Sequence, residues 1–341
     1  MTMILEDITP VKKILGVQNL ITRFYTFDGI VNALSGVSFH LNQGETLGVV
    51  GESGSGKSVT MMSLLHLLPV PPARIEGGQA MYYGERDPVD LLKLNKSCIS
   101  RIRGNHIGFI FQDALSALNP VMTVGNQIGE TLIEHLGMSK AAARKRSIEL
   151  LEYVGIPEPK KRAVSYPHEF SGGMRQRAMI ALAIACEPTI IIADEPTTAL
   201  DVTVQAQIIE LVQRLKKEMD MSVIWITHDL GVVAGIADRV MVMYAGHVVE
   251  TATVDDLFYQ PSHPYTIKLL EALPKLGESV HNRLESIEGT PPDLLVRPSH
   301  CQFVWRCSLN QKQCWLGVPD NQQISPHHQA ACFLDMAKEG V

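Results

Sequence analysis

Apolar residues along this chain fall into two rhythms. Short unbroken runs, rich in β-branched residues, alternate with stretches where apolar positions return every three or four residues. Thr46–Val50 (TLGVV), after a Gly-Glu turn, reads as a buried strand. Ile107–Phe111, Thr189–Ala193, Val223–Thr227 and Val240–Tyr244 are four more strand candidates. Between the first and second of these, SVTMMSLLHLL has helical spacing up to a stop at Pro69. Continuous apolar strands separated by helices predict a parallel α/β core.

Between Asn119 and about Ala185 the pattern becomes mostly helical. Val124, Ile128, Leu132 and Leu136 recur every four residues on one face. Ser139 can cap a second helix, with Ile148, Leu151 and Val154 on its apolar side and Gly155 just past its end. The runs Arg144-Lys145-Arg146 and Lys160-Lys161-Arg162 read as solvated faces. Residues 119 to about 185 are thus a helical subdomain hung on the α/β core. From residue 261 onward, Pro261, Pro264, Pro274, Pro291, Pro292 and Pro298 crowd a stretch with few strand signals. The expected division is a core over residues 1–260 and an extension over 261–341.

Composition narrows the function classes. The chain has 341 residues, 45% hydrophobic and 19% charged, enough apolar material for a packed core. Lys plus Arg is 30 against 36 for Asp plus Glu, a net charge of -6, which supplies no bulk attraction to nucleic acid. Mean hydropathy is high at +0.07, yet the longest clean apolar run, Ala178–Cys186, falls well short of the roughly 18 to 20 residues of a membrane span. The opening MTMILEDITPVKK carries acids before its lysines and does not read as a secretory signal. A reducing, cytosolic setting is expected. Four of the six cysteines, Cys301, Cys307, Cys314 and Cys332, cluster near the C-terminus, and in that setting a cluster reads as a metal site before a disulfide framework. Cys186 ends an apolar helix and reads as core.

The chemistry is concentrated in three motifs. Gly51-Glu52-Ser53-Gly54-Ser55-Gly56-Lys57-Ser58 fits G-x-x-x-x-G-K-[ST], here between a strand and a helix. Its glycines let successive N–H groups curl toward phosphate oxygens, and the following helix adds its positive end, from Ser58 and Val59 onward. Lys57 is expected on the β- and γ-phosphates and the Ser58 hydroxyl on Mg²⁺. Asp194 and Glu195 close a β-branched strand, where an open α/β sheet binds its ligands. Asp194 then belongs to the Mg²⁺ shell and Glu195 to the polarisation of an attacking water. Ser171-Gly172-Gly173, opening a helix, is a second anion-binding device.

In this order Gly51–Ser58, Gln112, Ser171-Gly172-Gly173, Asp194-Glu195, Asp201 and His228 resemble the ATPase subunit of ATP-binding cassette (ABC) transporters, over residues 17 to about 258. The resemblance implies a P-loop NTPase core of α/β class, with a β-rich N-terminal part, the helical subdomain and the cysteine-bearing extension. It also assigns roles. Gln112 contacts Mg²⁺ and the attacking water and links to membrane subunits; Asp201 crosses a dimer interface; His228 contacts the γ-phosphate; Phe24, with Tyr25 as fallback, stacks on adenine. The signature departs from the family's Leu-Ser-Gly-Gly-Gln, reading Phe170-Ser171-Gly172-Gly173-Met174 here. Each ATP is expected to bridge the phosphate loop of one subunit and the signature of another.

His263-Pro264-Tyr265 and Glu288-Gly289-Thr290-Pro291-Pro292-Asp293 resemble the extension of the subfamily serving di- and oligopeptide importers, whose relatives also import nickel or sugars. That implies a second homologous ATPase, two transmembrane permease subunits, an extracytoplasmic substrate-binding protein reached indirectly, no nucleic acid, and a peripheral place on the cytoplasmic face of the membrane. The spacing Cys301-x5-Cys307-x6-Cys314-x17-Cys332 supplies four thiolates but fits structural zinc poorly. Members of the subfamily with this pattern are associated with a [4Fe–4S] cluster; zinc and free thiols are the alternatives. His300, His327 and His328 read as surface residues beside it. A soluble ABC-type ATPase of DNA repair or translation, or a redox- or metal-sensing regulator, are the rival functions.

Overall fold

The computed structural model describes residues 12–84, 87–198, 200–273 and 287–334. Pro274 and the opening residues through position 11, both used in the sequence reading, lie outside them. The described strands are β1 (Lys13–Thr26), β2 (Gly29–Asn42), β3 (Thr46–Val50), β4 (Ala73–Tyr82), β5 (Val89–Asp90), β6 (Ile107–Ile110), β7 (Ile190–Asp194), β8 (Ser222–Ile226), β9 (Arg239–Tyr244), β10 (His247–Thr253), β11 (Gln322–Ser325) and β12 (His328–Ala330). They form two sheets. The first, in order β2-β1-β4-β5, is antiparallel and built on the long β1–β2 hairpin. The second runs β11-β12-β10-β9-β3-β8-β7-β6, and its β9-β3-β8-β7-β6 stretch is parallel.

The parallel strands show why their sequences carry no alternation. Every residue of β3, β7 and β8 is buried, because both faces of the sheet are covered. Alternate residues serve opposite sides: Ile190, Ile192, Ile224 and Ile226 pack toward the antiparallel sheet, with Leu15, Leu34 and Met61. Ile191, Ala193, Val223 and Trp225 pack toward the helical side, with Val124, Ile128 and Leu150. The helices used below are α1 (Lys57–Leu64), α2 (Val124–Leu136), α3 (Lys140–Tyr153), α4 (Gly172–Ala183), α5 (Val202–Glu218) and α6 (Pro264–Glu271). Ser139 caps α3, accepting the Ala142 N–H at 3.3 Å, and Gly155 past its end has φ 77°.

Several details differ from the sequence reading. The helix after the phosphate-loop motif stops at Leu64 rather than running to Pro69, because His66 turns into the left-handed region at φ 51°. Arg103 ends it chemically, donating to the carbonyls of Leu65 and His66 at 2.6 Å each. Leu136, placed on the apolar face of α2, is 45% exposed at the helix's last turn. The extension carries two strands where few signals stood, and β12 pairs with β10, extending the main sheet. His328, expected at the surface, is buried on β12, its Nε2 2.7 Å from Glu250 Oε1. Glu250 also accepts the N–H groups of Ser262 and His263 at 2.6 and 2.9 Å, so a fully buried carboxylate ties the extension to β10.

Candidate nucleotide site

Four adjacent parallel strands deliver their C-terminal ends to one edge of the sheet. Gly51 follows β3, Gln112 lies two residues beyond β6, Asp194 ends β7, and His228 lies two residues beyond β8. Residues far apart in sequence are thereby gathered where an open α/β sheet presents its crevice. The phosphate loop needs its glycines for space as well as conformation. Gly51 has φ 150°, and a Cβ there would stand 2.1 Å from the Met243 carbonyl oxygen. At Gly56, with φ 100°, it would meet Leu34 Cδ2 at 2.8 Å.

Within the loop, Lys57 is buried and its Nζ donates to the carbonyls of Gly51 and Glu52 at 2.7 and 2.9 Å. Burial holds its pKa below the ordinary lysine value, opposed by the nearby charges of Glu195, Asp194 and Glu52. The Ser55 hydroxyl is buried with no hydrogen-bond partner among the described residues. Ser58, in the first turn of α1, donates its hydroxyl to Asp194 Oδ1 at 2.8 Å, and burial raises the Asp194 pKa. Hydroxyl and carboxylate oxygens side by side are the hard donors Mg²⁺ prefers. Val59 turns the other way and packs against the core. Gly54 has φ 78° and open space beside it, and Ser53 is exposed.

Glu195 is the second gathering point. Its Oε2 accepts from Gln112 Nε2 at 3.2 Å and from the Thr198 hydroxyl at 3.0 Å, and lies 3.4 Å from His228 Nδ1. Its backbone sits in the left-handed region at φ 44°, uncommon for a side chain of this size. The Glu195 N–H bonded to Ile226 O at 3.0 Å holds that turn against β8. Thr198 was not singled out by sequence; its place three residues beyond Glu195 was the available signal.

The signature and Asp201 each cap a helix. The Ser171 hydroxyl caps α4 through the Met174 N–H at 3.3 Å, and Asp201 caps α5 through the Val204 N–H at 3.0 Å. The two helix starts pack together, for a Cβ at Gly173 would approach Val204 Cγ1 to 2.9 Å and one at Gly172 would meet Leu200 at 3.7 Å. Among the described residues, no hydrogen bond joins either to Gly51–Ser58. Phe24 is half-buried on β1 opposite Val31 and Ala73, and the exposed Tyr25 beside it gives its hydroxyl to Glu76.

The four cysteines of the extension do converge. Cys301, Cys307, Cys314 and Cys332 line one small cavity with His263, Pro264, Phe303, Val304, Phe333 and Leu334. Burial pushes the Cys301 thiol up to about 11 and Cys332 to about 12, and raises Cys307 as well. Among the described residues, no group of three or more His, Cys, Asp or Glu side chains is arranged to hold a metal ion. All four thiols thus face one small cavity whose other lining residues are mostly apolar.

The ABC transporter family matches residues 34–198, and the C-terminal region of oligopeptide/dipeptide transporters matches residues 249–314. The oligopeptide transport ATP-binding protein OppD of Bacillus subtilis is 51% identical over 95% of this chain and 89% of its own length. The dipeptide transport ATP-binding protein DppD of the same organism is 51% identical over 95% of each chain. Among solved structures, an ATP-binding cassette dimer in a post-hydrolysis state bound to ADP and Pi superposes with a TM-score of 0.62 at 29% identity, covering 70% of this chain and 98% of that one. A cassette of the cbiONQ ABC transporter complex from Clostridium perfringens follows at 0.60 and 26%, covering 73% and 92%. The fold is that of an ABC ATPase cassette, and the chain belongs to the ABC transporter family, among ATP-binding proteins that carry the oligopeptide/dipeptide transporter C-terminal region.

Proposed function

We propose that this protein binds and hydrolyses ATP to power import of di- or oligopeptides through a membrane transporter complex. The observation that carries the ATPase reading is the clustering of Ser58 with Asp194 and of Gln112, Thr198 and His228 around Glu195, beside the phosphate loop. Lys57 and the loop N–H groups bind the β- and γ-phosphates. Ser58, Asp194 and Gln112 hold Mg²⁺, which supplies charge neutralisation at the phosphates. Glu195 takes the proton of the attacking water, Gln112 and Thr198 orient its carboxylate, and His228 faces the γ-phosphate. Phe24 stacks on adenine. Ser171, Gly172, Gly173 and Asp201 serve the nucleotide of a partner ATPase, in keeping with the lack, among the described residues, of a hydrogen bond from Ser171 or Asp201 to this chain's own loop. ATP then favours a closed pair by contacting both halves, and hydrolysis removes that preference.

The peptide cargo follows the printed roles of the relatives, OppD and DppD. No helix among the described residues is long and apolar enough to cross a membrane. In keeping with the relatives' peptide-transport roles, the proposed assembly has the chain peripheral on the cytoplasmic face, with a second homologous ATPase, two permease subunits and, indirectly, an extracytoplasmic binding protein. The cysteine cavity is assigned a [4Fe–4S] cluster held by Cys301, Cys307, Cys314 and Cys332, on the strength of the four thiols sharing one apolar cavity. Anaerobic purification with iron and sulfide assay tests it; a colourless protein with neither would remove it.

Purification from gently solubilised membranes, with every partner identified and peptide-stimulated ATP hydrolysis measured, tests the whole reading. Two multi-span proteins and a second ATPase are the expected companions. Recovery of soluble or nucleic-acid-bound partners alone would overturn it.

A further inference from the structure

Glu52, inside the phosphate loop, is held from three sides. Its carbonyl accepts from Lys57 Nζ at 2.9 Å. Its N–H donates to the Tyr265 hydroxyl at 2.9 Å. Its carboxylate receives Arg306 in a two-point pair, Nη1 to Oε2 at 2.6 Å and Nη2 to Oε1 at 2.9 Å. Tyr265 and Arg306 both belong to the extension, more than two hundred residues away in sequence.

Arg306 is fully committed. Nε donates to the Glu288 carbonyl at 2.9 Å, Nη1 also to the Tyr244 hydroxyl at 3.2 Å, and Nη2 also to the Ile287 carbonyl at 3.1 Å. A guanidinium has five N–H donors, and each has an acceptor here. The side chain is 5% exposed and lies near the rings of Tyr244 and Phe303, so its charge is shielded from water and directed at Glu52. A lysine has neither the planar fork nor the donor count to replace it.

We infer that Arg306 and Tyr265 are positioning residues of the ATP site: the extension grips Glu52 and so sets the phosphate loop and the direction of Lys57. The inference rests on the ATP-binding reading above. Without Arg306, an unpaired carboxylate stands in the loop that must receive a triphosphate, and the loop loses its anchor. Cys307 follows Arg306 directly, so the thiol cavity and the phosphate loop share one stretch of backbone.

The test is ATP affinity of the full chain by calorimetry, with circular dichroism to establish folding. Arg306→Ala should weaken ATP binding on the order of tenfold, within the usual range of coupling between sites. Adding Glu52→Gln to Arg306→Ala should recover most of that loss, which a merely structural arginine would not do. Tyr265→Phe, which keeps the packed ring, should cost about fivefold, and Arg306→Lys should fall between Arg306→Ala and the native chain. If Arg306→Ala does not fold, Tyr265→Phe and Arg306→Lys decide. Native-like affinity in the folded variants, or no recovery with Glu52→Gln, would overturn the inference. Absence of ATP binding by the native chain would instead overturn the ATP-site reading itself.

Discussion

Under the proposed function, single residues at the sheet edge divide into those that bind and those that react. Lys57 is buried against loop carbonyls and aimed by them, so Lys57→Ala should weaken ATP binding itself, read as a raised dissociation constant. Glu195 gathers Gln112, Thr198 and His228 around one carboxylate oxygen. Glu195→Gln should leave ATP bound while lowering turnover by roughly 10² to 10⁴, the scale of a general base, measured in the assembled complex. Away from the site, His40 is a titration sensor of folding. Burial, with the charges of Arg239 and Lys13, depresses it from 6.5 to about 4, and its Nε2 lies 2.7 Å from Arg239 Nη1, where a neutral ring accepts. The unfolded chain takes up a proton near pH 6.5 that the native chain refuses. The contribution is complete above pH 6.5 and is lost as pH falls toward 4. Between pH 7 and 5 the urea midpoint should therefore drop less in His40→Gln than in the native chain.

At the scale of elements, the hydrophobic rhythm located the parallel strands to within a residue at each end, because full burial on both faces leaves no room for polar interruption. Helix ends were read less well. α1 stops at Leu64 where His66 turns left-handed, and Arg103, distant in sequence, takes the Leu65 and His66 carbonyls just beyond it. The helical subdomain depends on a close approach that no periodicity reveals. Gly125, at the start of α2, donates its N–H to the Ala163 carbonyl at 2.9 Å, and a Cβ there would stand 2.6 Å from that same oxygen. Gly125→Ala should destabilise by about 1–3 kcal/mol, as overpacking does. Chemical denaturation would show it as a lowered midpoint without a change in slope.

Across the whole molecule, the extension behaves as a wall of the cassette. Tyr244 and Val242 of β9 share an apolar cluster with Tyr265 and Phe303, and Glu250 of β10 depends on Ser262, His263 and His328 for its hydrogen bonds. A chain ended at residue 260 would strip that carboxylate of all three hydrogen-bond partners and uncover the apolar cluster around Tyr244 and Val242. Such a truncation should unfold at a clearly lower temperature than the full chain, in a thermal melt followed by circular dichroism. An equally stable fragment would mean that the extension folds as a separate unit.

The sequence by itself located the candidate chemistry: the phosphate-loop spacing, the Asp194-Glu195 strand end and the four cysteines are each a set of particular residue types near one another in the chain, so local order records them. Only the tertiary structure decided which of these meet. Gln112, Thr198 and His228 reach Glu195 because parallel strand order β8-β7-β6 brings their ends together, and strand order is not written in any one segment. Arg306 was invisible for the same reason. Nothing in its neighbourhood marks it, and its partner Glu52 is brought to it by the packing of Tyr265 and Phe303 against Tyr244, a contact between the two ends of the fold.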